Sequence, residues 1–221
     1  KSVQVDWDIE SAVVLTRGGI SNLEKRLEKR TVTSGCGQGT VFGDMMEDLD
    51  KIKLNSPALR QSSFYRLLKN IREYNEVYKK SGAVHGCALC KDEKIEIFIE
   101  DVGRHNAADA IAGYMLLEQI DGSDKLFYTT GRLTSEMVIK VAQMGIPILF
   151  SRAGVTKMGL ELSQKLGVTT ISRAAGKHFL VYNGVETVIY DAKPSEKTDS
   201  RFNSSGDSEE SPLHERRRGA E

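Results

Sequence analysis

No apolar run in these 221 residues approaches the roughly 20 that a helix needs to cross a bilayer, so no membrane-spanning helix is expected. Net charge is lacking too. Lys plus Arg and Asp plus Glu are both 31, which argues against a general nucleic-acid or membrane surface and leaves anion recognition to local clusters. The stretch Lys1–Asp8 has no apolar core of the kind a secretory signal needs. It also lacks an initiator Met, from which a chain that starts inside a longer gene product is expected. Cysteine is scarce: three residues, an odd number without scaffold spacing, fit a reducing cytoplasm better than a disulfide framework. What is present, 39% hydrophobic and 28% charged residues, suffices for one large or two small cores.

Three stretches follow from the patterning. Residues 1–80 are expected to form a small α+β domain, with strands at Val3–Trp7 and Ala12–Leu15, a Gly-rich stretch around Cys36, and helices at Pro57–Asn70 and Arg72–Lys80. From 81 to 191, short apolar segments alternate with helical patterns at Ala107–Ile120, Ser135–Met144 and Lys157–Leu166, the signature of βαβ units on a parallel sheet. Thr134 and Thr156 stand where N-caps belong, Gly145 and Gly167 where helices should end. Asn183-Gly184 between Phe179–Tyr182 and Glu186–Tyr190 predicts a hairpin. Residues 192–221 are polar and charged with almost nothing to bury, so a disordered tail is expected. No internal repeat beyond the βα alternation is evident.

Four strand-like segments run into small-residue turns bearing an arginine: Ile95–Glu100 into Asp101-Val102-Gly103-Arg104, Lys125–Thr130 into Gly131-Arg132, Ile146–Phe150 into Ser151-Arg152, and Val168–Ile171 into Ser172-Arg173. In a parallel sheet such ends gather at one edge, where turn amides and helix N-termini favour anions. A pocket for something phosphorylated is the expectation. Asp101, Arg104 and His105 can bind phosphate or a guanine edge or position an acid and base; alternatively they form an ion pair, with Asn106 capping the helix, that only orders the turn.

Cys36 lies between Gly35 and Gly37, with Lys29 and Arg30 upstream to favour its thiolate; it reads either as a reactive sulfur or as an ordinary turn cysteine. His85-Gly86-Cys87-Ala88-Leu89-Cys90 offers at most half a zinc site. The H-x-E segment of zinc deaminases is missing, since Gly86 and Cys87 follow His85, so no metal is expected.

Glu100-Asp101-Val102-Gly103-Arg104-His105-Asn106-Ala107, Gly131-Arg132 through Ser135-Glu136-Met137-Val138-Ile139-Lys140, Gly145-Ile146-Pro147 and Ser34-Gly35-Cys36-Gly37 together resemble the FdhD family of formate dehydrogenase accessory proteins over roughly residues 10–190. The resemblance implies a three-layer α/β domain similar to cytidine deaminases, without their zinc chemistry, beside the smaller N-terminal domain. It implies a cytoplasmic sulfurtransferase that takes persulfide sulfur from a cysteine desulfurase. The sulfur passes to the molybdenum cofactor, bis-molybdopterin guanine dinucleotide, before insertion into formate dehydrogenase. Cys36 matches the persulfide position. Arg173, Ala174, Ala175, Gly176, Lys177 and His178 match the cofactor-binding stretch, to which Asp101, Arg104, His105 and Arg132 are added; Arg152 is expected to be a surface arginine. A homodimer holding both halves of the cofactor fits the same picture.

Departures from the family pattern are specific. Gly39 stands where the family has a second loop cysteine, which makes Cys87 and Cys90 the candidate secondary thiols. Ala110 replaces a usual Lys, the Gly176 stretch is less basic, and several N-terminal strands of the family are absent, so the small domain is expected to be truncated or short. The missing second cysteine keeps open an alternative, a non-catalytic chaperone for the guanylylated cofactor.

Overall fold

The computed structural model describes residues 2–6, 8–15, 49 and 51–192. The Cys36 loop and the tail beyond Ala192 lie outside these residues. Near the N-terminus, β1 (Ser2–Asp6) and β2 (Ser11–Leu15) pair antiparallel. The Asp6 carboxylate accepts the Asp8 amide at 3.0 Å and so closes their turn.

Six strands form the main sheet. They are β4 (His85–Lys91), β5 (Lys94–Asp101), β6 (Leu126–Thr129), β7 (Ile148–Ser151), β8 (Thr169–Ala175) and β9 (His178–Asn183), in the order β5-β4-β6-β7-β8-β9. The expected parallel sheet is thus a mixed one: β6, β7 and β8 are parallel, while β4 runs antiparallel to both its neighbours and β9 antiparallel to β8. Two reversals restore one direction. Because β4 opposes both β5 and β6, strands β5 through β8 all point the same way, and their carboxyl ends share an edge.

Helices cover both faces, as the alternating side chains of each strand require. On one face α3 (Arg104–Leu117), α4 (Ser135–Gln143) and α5 (Lys157–Leu166) bury Ile111, Met137, Val141 and Leu166 against Cys87, Leu89, Phe127 and Leu149. On the other, α1 (Gln61–Tyr74) buries Phe64, Leu67, Leu68 and Ile71 against Ala88, Cys90, Tyr128 and Phe150. Phe64 meets the rings of Phe150 and Phe179 edge-on, with centroids 5.1 Å apart in each case. The expected division at residue 80 therefore does not follow the packing, since α1 forms one core with the sheet.

Several boundaries shift for identifiable reasons. Residues 57–60 are not helical, because β3 (Leu59–Arg60) pairs with β10 (Val188–Ile189). The break between α1 and α2 (Glu76–Ser81) falls at Asn75. Helix α3 starts at Arg104, three residues before the expected start, so the polar cluster forms its first turn. The Asn183-Gly184 hairpin does not form. Thr187 Oγ1 donates to the Gly184 carbonyl at 2.7 Å, closing a short 3-10 turn that sends the chain across to β3. The hairpin sits instead at Gly176-Lys177, joining β8 to β9.

The C-x-x-C spacing is resolved by strand geometry. Residues three apart on β4 face opposite sides, so Cys87 lies in the core under α3 and Cys90 in the core under α1, both fully buried. They cannot share a metal or a disulfide. Burial pushes the Cys87 thiol up to about 12, and the Cys90 thiol is raised for the same reason.

Two outcomes are expected. Phe64→Ala should lower the urea-unfolding free energy by about 3–5 kcal/mol, because it empties the junction of α1, β7 and β9. Near neutral pH, Cys87 and Cys90 should resist iodoacetamide in the folded chain and react once it is unfolded in urea, as read by peptide mass spectrometry. Fast native-state labelling of either would contradict their burial.

Candidate functional site

The carboxyl edge is built from turns closed by short side chains. At the end of β5, Asp101 Oδ1 accepts the Gly103 amide at 2.7 Å and Asn106 Nδ2 at 3.1 Å. Asp101 and Asn106 therefore order the corner, and the expected cap by Asn106 on the helix amides does not occur. This corner sets Arg104 as the first residue of α3. Its aliphatic stem lies on Gly131, where a Cβ would come within 2.6 Å of Arg104 Cδ, so only glycine allows the approach. His105 Nε2 is 3.2 Å from Glu136 Oε2. Burial and then Arg104 nevertheless lower the His105 pKa, favouring neutral imidazole.

The ends of β6 and β7 use one design twice, a repeat that sequence inspection does not reveal. Thr129 Oγ1 accepts the Gly131 amide at 3.1 Å, and Ser151 Oγ accepts the Ala153 amide at 2.9 Å. Ser151 Oγ also donates to the Gly131 carbonyl at 2.6 Å, tying the two turns together. Pairing continues past the strands through Leu133 and Val155, and each unit then enters its helix at a threonine, Thr134 or Thr156. Thr156 Oγ1 accepts the Gly159 amide at 3.2 Å, whereas the buried Thr134 Oγ1 has no hydrogen-bond partner among the described residues.

Two cavities open at this edge. The first, of ≈280 Å³, is lined by Arg72, Asn75, Tyr78, Lys79, Tyr128, Arg152 and the small residues Ala174, Ala175 and Gly176, with Leu68 and Ile71 as its apolar wall. The second, of ≈390 Å³, is lined by Tyr78, Gly82, Ala83, Val84, His85, Thr130, Arg152 and Ala153. No acidic side chain lines either one, so their local charge is positive. Burial pushes the Tyr128 hydroxyl up to about 12, a shift that Arg152 partly offsets. Asn75 Oδ1 is buried without a hydrogen-bond partner among the described residues, whereas the buried Tyr128 hydroxyl has the Arg152 guanidinium beside it. Asn75 Nδ2 donates to the Ile71 carbonyl at 3.3 Å, which fixes the amide so that Oδ1 is the free group. An unpaired buried acceptor beside a cation-lined cavity suits a ligand that donates to it.

Helix α2 supplies Tyr78 and Lys79 and buries none of its own residues. Glu100 holds it in place. Its two carboxylate oxygens accept the Val77 and Tyr78 amides, both at 2.9 Å. At the second cavity His85 Nδ1 lies 3.3 Å from Thr130 Oγ1, and burial followed by Arg104 lowers the His85 pKa.

The expected site residues divide accordingly. Ala174, Ala175 and Gly176 line the first cavity; Arg173, Lys177 and His178 are exposed and line neither. Arg173 has a left-handed backbone (φ 53°) at a bulge in β8, and its guanidinium reaches over Gly154. Asp101, Arg104, His105 and Arg132 belong to the same edge but line neither cavity, and Cys36 lies outside the described residues. Arg152 is exposed, as expected of a surface arginine, and also lines both cavities. Arg72 and Asn75 were missed, although they continue the buried stripe of Leu68 and Ile71 at helical spacing.

The FdhD/NarQ family model matches residues 1–189. Among curated relatives, the sulfur carrier protein FdhD of Bacillus pumilus is 35% identical over 156 residues, covering 70% of this chain and 59% of its own length. That of Wolinella succinogenes is 32% identical over 185 residues, covering 82% and 64%. This chain thus spans about three-fifths of the length of the relatives it matches. A crystal structure of a candidate formate dehydrogenase accessory protein from Desulfotalea psychrophila superimposes with a TM-score of 0.57 at 33% identity, covering 65% of this chain and 62% of that one. A family match over nearly the whole described chain, on a fold that a 33% identical structure shares, shows that the chain belongs to the FdhD/NarQ family.

Proposed function

We propose that this chain is a cytoplasmic sulfur carrier that accepts persulfide sulfur on Cys36 from a cysteine desulfurase and passes it to bis-molybdopterin guanine dinucleotide, held at the carboxyl edge, for formate dehydrogenase. One observation carries the assignment to Cys36. Of the chain's three thiols, Cys87 and Cys90 are fully buried and protonated, so sulfur loading falls to the remaining one. The Cys36 thiolate attacks the outer sulfur of the desulfurase persulfide, the S–S bond breaks, and the desulfurase thiolate leaves. No reductant is consumed, and the cargo remains a persulfide. Burial also removes Cys87 and Cys90 as secondary thiols, so transfer proceeds without an internal disulfide to them.

The cofactor assignment rests on the cleft. Arg72, Lys79 and Arg152 offer donors to phosphate oxygens, while Ala174, Ala175 and Gly176 let a ligand approach the backbone. The mixed sheet with helices on both faces supports the deaminase-like architecture that the resemblance implies. Among the described residues no helix is long and apolar enough to cross a membrane.

Incubation with a cysteine desulfurase and cysteine should add one sulfur to the Cys36 peptide, and Cys36→Ala should abolish loading. Sulfur retained by Cys36→Ala would overturn the carrier assignment; no loading at all with intact nucleotide binding would favour the cofactor chaperone. Calorimetry with GDP should show about tenfold weaker binding for Arg72→Gln. Arg132→Gln, outside both cavities, should bind GDP like the parent chain, and an equal loss in the two variants would remove the cleft from the assignment.

A further inference from the structure

Helices α3 and α4 lie side by side, both starting at the carboxyl edge, and two ion pairs join them. His105 Nε2 is 3.2 Å from Glu136 Oε2, and one turn further on the Lys140 ammonium donates to Asp109. Beyond that pair the small side chain of Ala112 leaves a groove of ≈670 Å³ between the helices. Met115, Leu116, Ile120, Ile139 and Met144 make it apolar, and the two thioethers can adapt to the shape of an occupant. Helix α3 carries more leucine than the core takes up, with Leu116 68% and Leu117 62% exposed. Charge around the groove is mostly of one sign. Among the described residues that line it, Asp109, Asp121 and Glu136 stand against the single ammonium of Lys140, which Asp109 already holds. Hydrogen bonds from Ser123 lower the Asp121 pKa and keep its carboxylate ionised.

We propose that this groove docks a basic amphipathic helix of another protein. The nine residues of α4 run about 14 Å along it, room for about two and a half turns of a docked helix. Apolar side chains at i, i+3, i+4 and i+7 can then enter together. Lysine or arginine beside that stripe meets the carboxylates of the rim. The same charge decides against other occupants. An anionic lipid surface or a nucleic acid would face the three carboxylates and be repelled, and two copies of this chain meeting groove to groove would set carboxylate against carboxylate. The position of the groove suits a carrier. Because α3 and α4 run from the carboxyl edge toward the other end of the sheet, the groove shares no lining residue with the two cavities of that edge. A protein held there leaves the edge open, and its docking does not depend on which ligand the edge takes.

Fluorescence anisotropy on the full chain tests this with a labelled peptide about four turns long, carrying leucine along one helical stripe and lysine elsewhere. It should bind at least about tenfold more tightly than the same peptide with glutamate in place of lysine, and than a lysine peptide whose leucines are scrambled off the stripe. Leu116→Arg, in the groove, should weaken binding about tenfold, whereas Leu117→Arg, similarly exposed but outside the groove, should bind like the parent chain. Asp121→Lys, on the exposed rim, should weaken binding as well and reads the same site if Leu116→Arg does not fold. Equal binding of the lysine and glutamate peptides, or of the striped and scrambled ones, would overturn the groove as a helix site, and so would an equal loss in the two leucine variants. Sedimentation that shows the parent chain as a dimer and Leu116→Arg as a monomer would give the groove to a second copy and overturn the proposal too.

Discussion

The antiparallel seat of β4 between β5 and β6 is the constraint on which the carboxyl edge depends. Without a strand running backwards there, β5 would deliver Asp101 and Arg104 to the opposite end of the sheet from Arg132 and Arg152. The seat is narrow. Cys87, Ala88, Leu89 and Cys90 are all fully buried, between α3 on one face and α1 on the other. Gly86 has no room for a side chain, since a Cβ would stand 2.6 Å from Phe98 Cζ. Small apolar residues are what a doubly covered central strand demands.

That same demand explains the cysteines. A thiol is a compact apolar group that fits where a larger side chain would clash, and its burial suppresses the thiolate on which sulfur chemistry depends. Cys87 Sγ donates to Thr129 Oγ1 at 3.4 Å, so even its proton is engaged in holding the end of β6. The thiols of β4 are therefore structural parts of the edge rather than reagents in it. The proposed function accordingly assigns binding to the edge and sulfur chemistry to a different part of the chain.

Much of the framework was legible from local pattern. Lys157–Leu166 is helical over the expected residues, with Thr156 as its cap and Gly167 at its end, because apolar period, cap and terminator agree there. The four arginine-bearing strand ends could also be read, although the route by which they share an edge could not. Strand β4 was obscured by its own composition. Cys87 and Cys90 at ligand spacing drew attention to metal, whereas strand alternation sends them to opposite faces. Asn183-Gly184 gave a sound local turn signal, but whether the next strand folds back or crosses to β3 is decided by a partner more than a hundred residues away.

The cleft was the least legible part, and the reason is geometric. Its cations come from α1, α2 and the β7 turn, segments with no common motif, and they converge only because α1 packs across the sheet while Glu100 holds α2 beside it. Arg104 occupies the most recognisable stretch of sequence, yet its stem is spent against Gly131 and lines neither cavity. Arg152 lies in an unremarkable turn, but Ser151 ties that turn to Gly131, placing the guanidinium between the two cavities. Recognisable residues here build the corner, and the residues lining the cavities are set by packing. Substitution of the corner would therefore act on the whole edge, whereas substitution of Arg72 or Arg152 acts on the cleft alone.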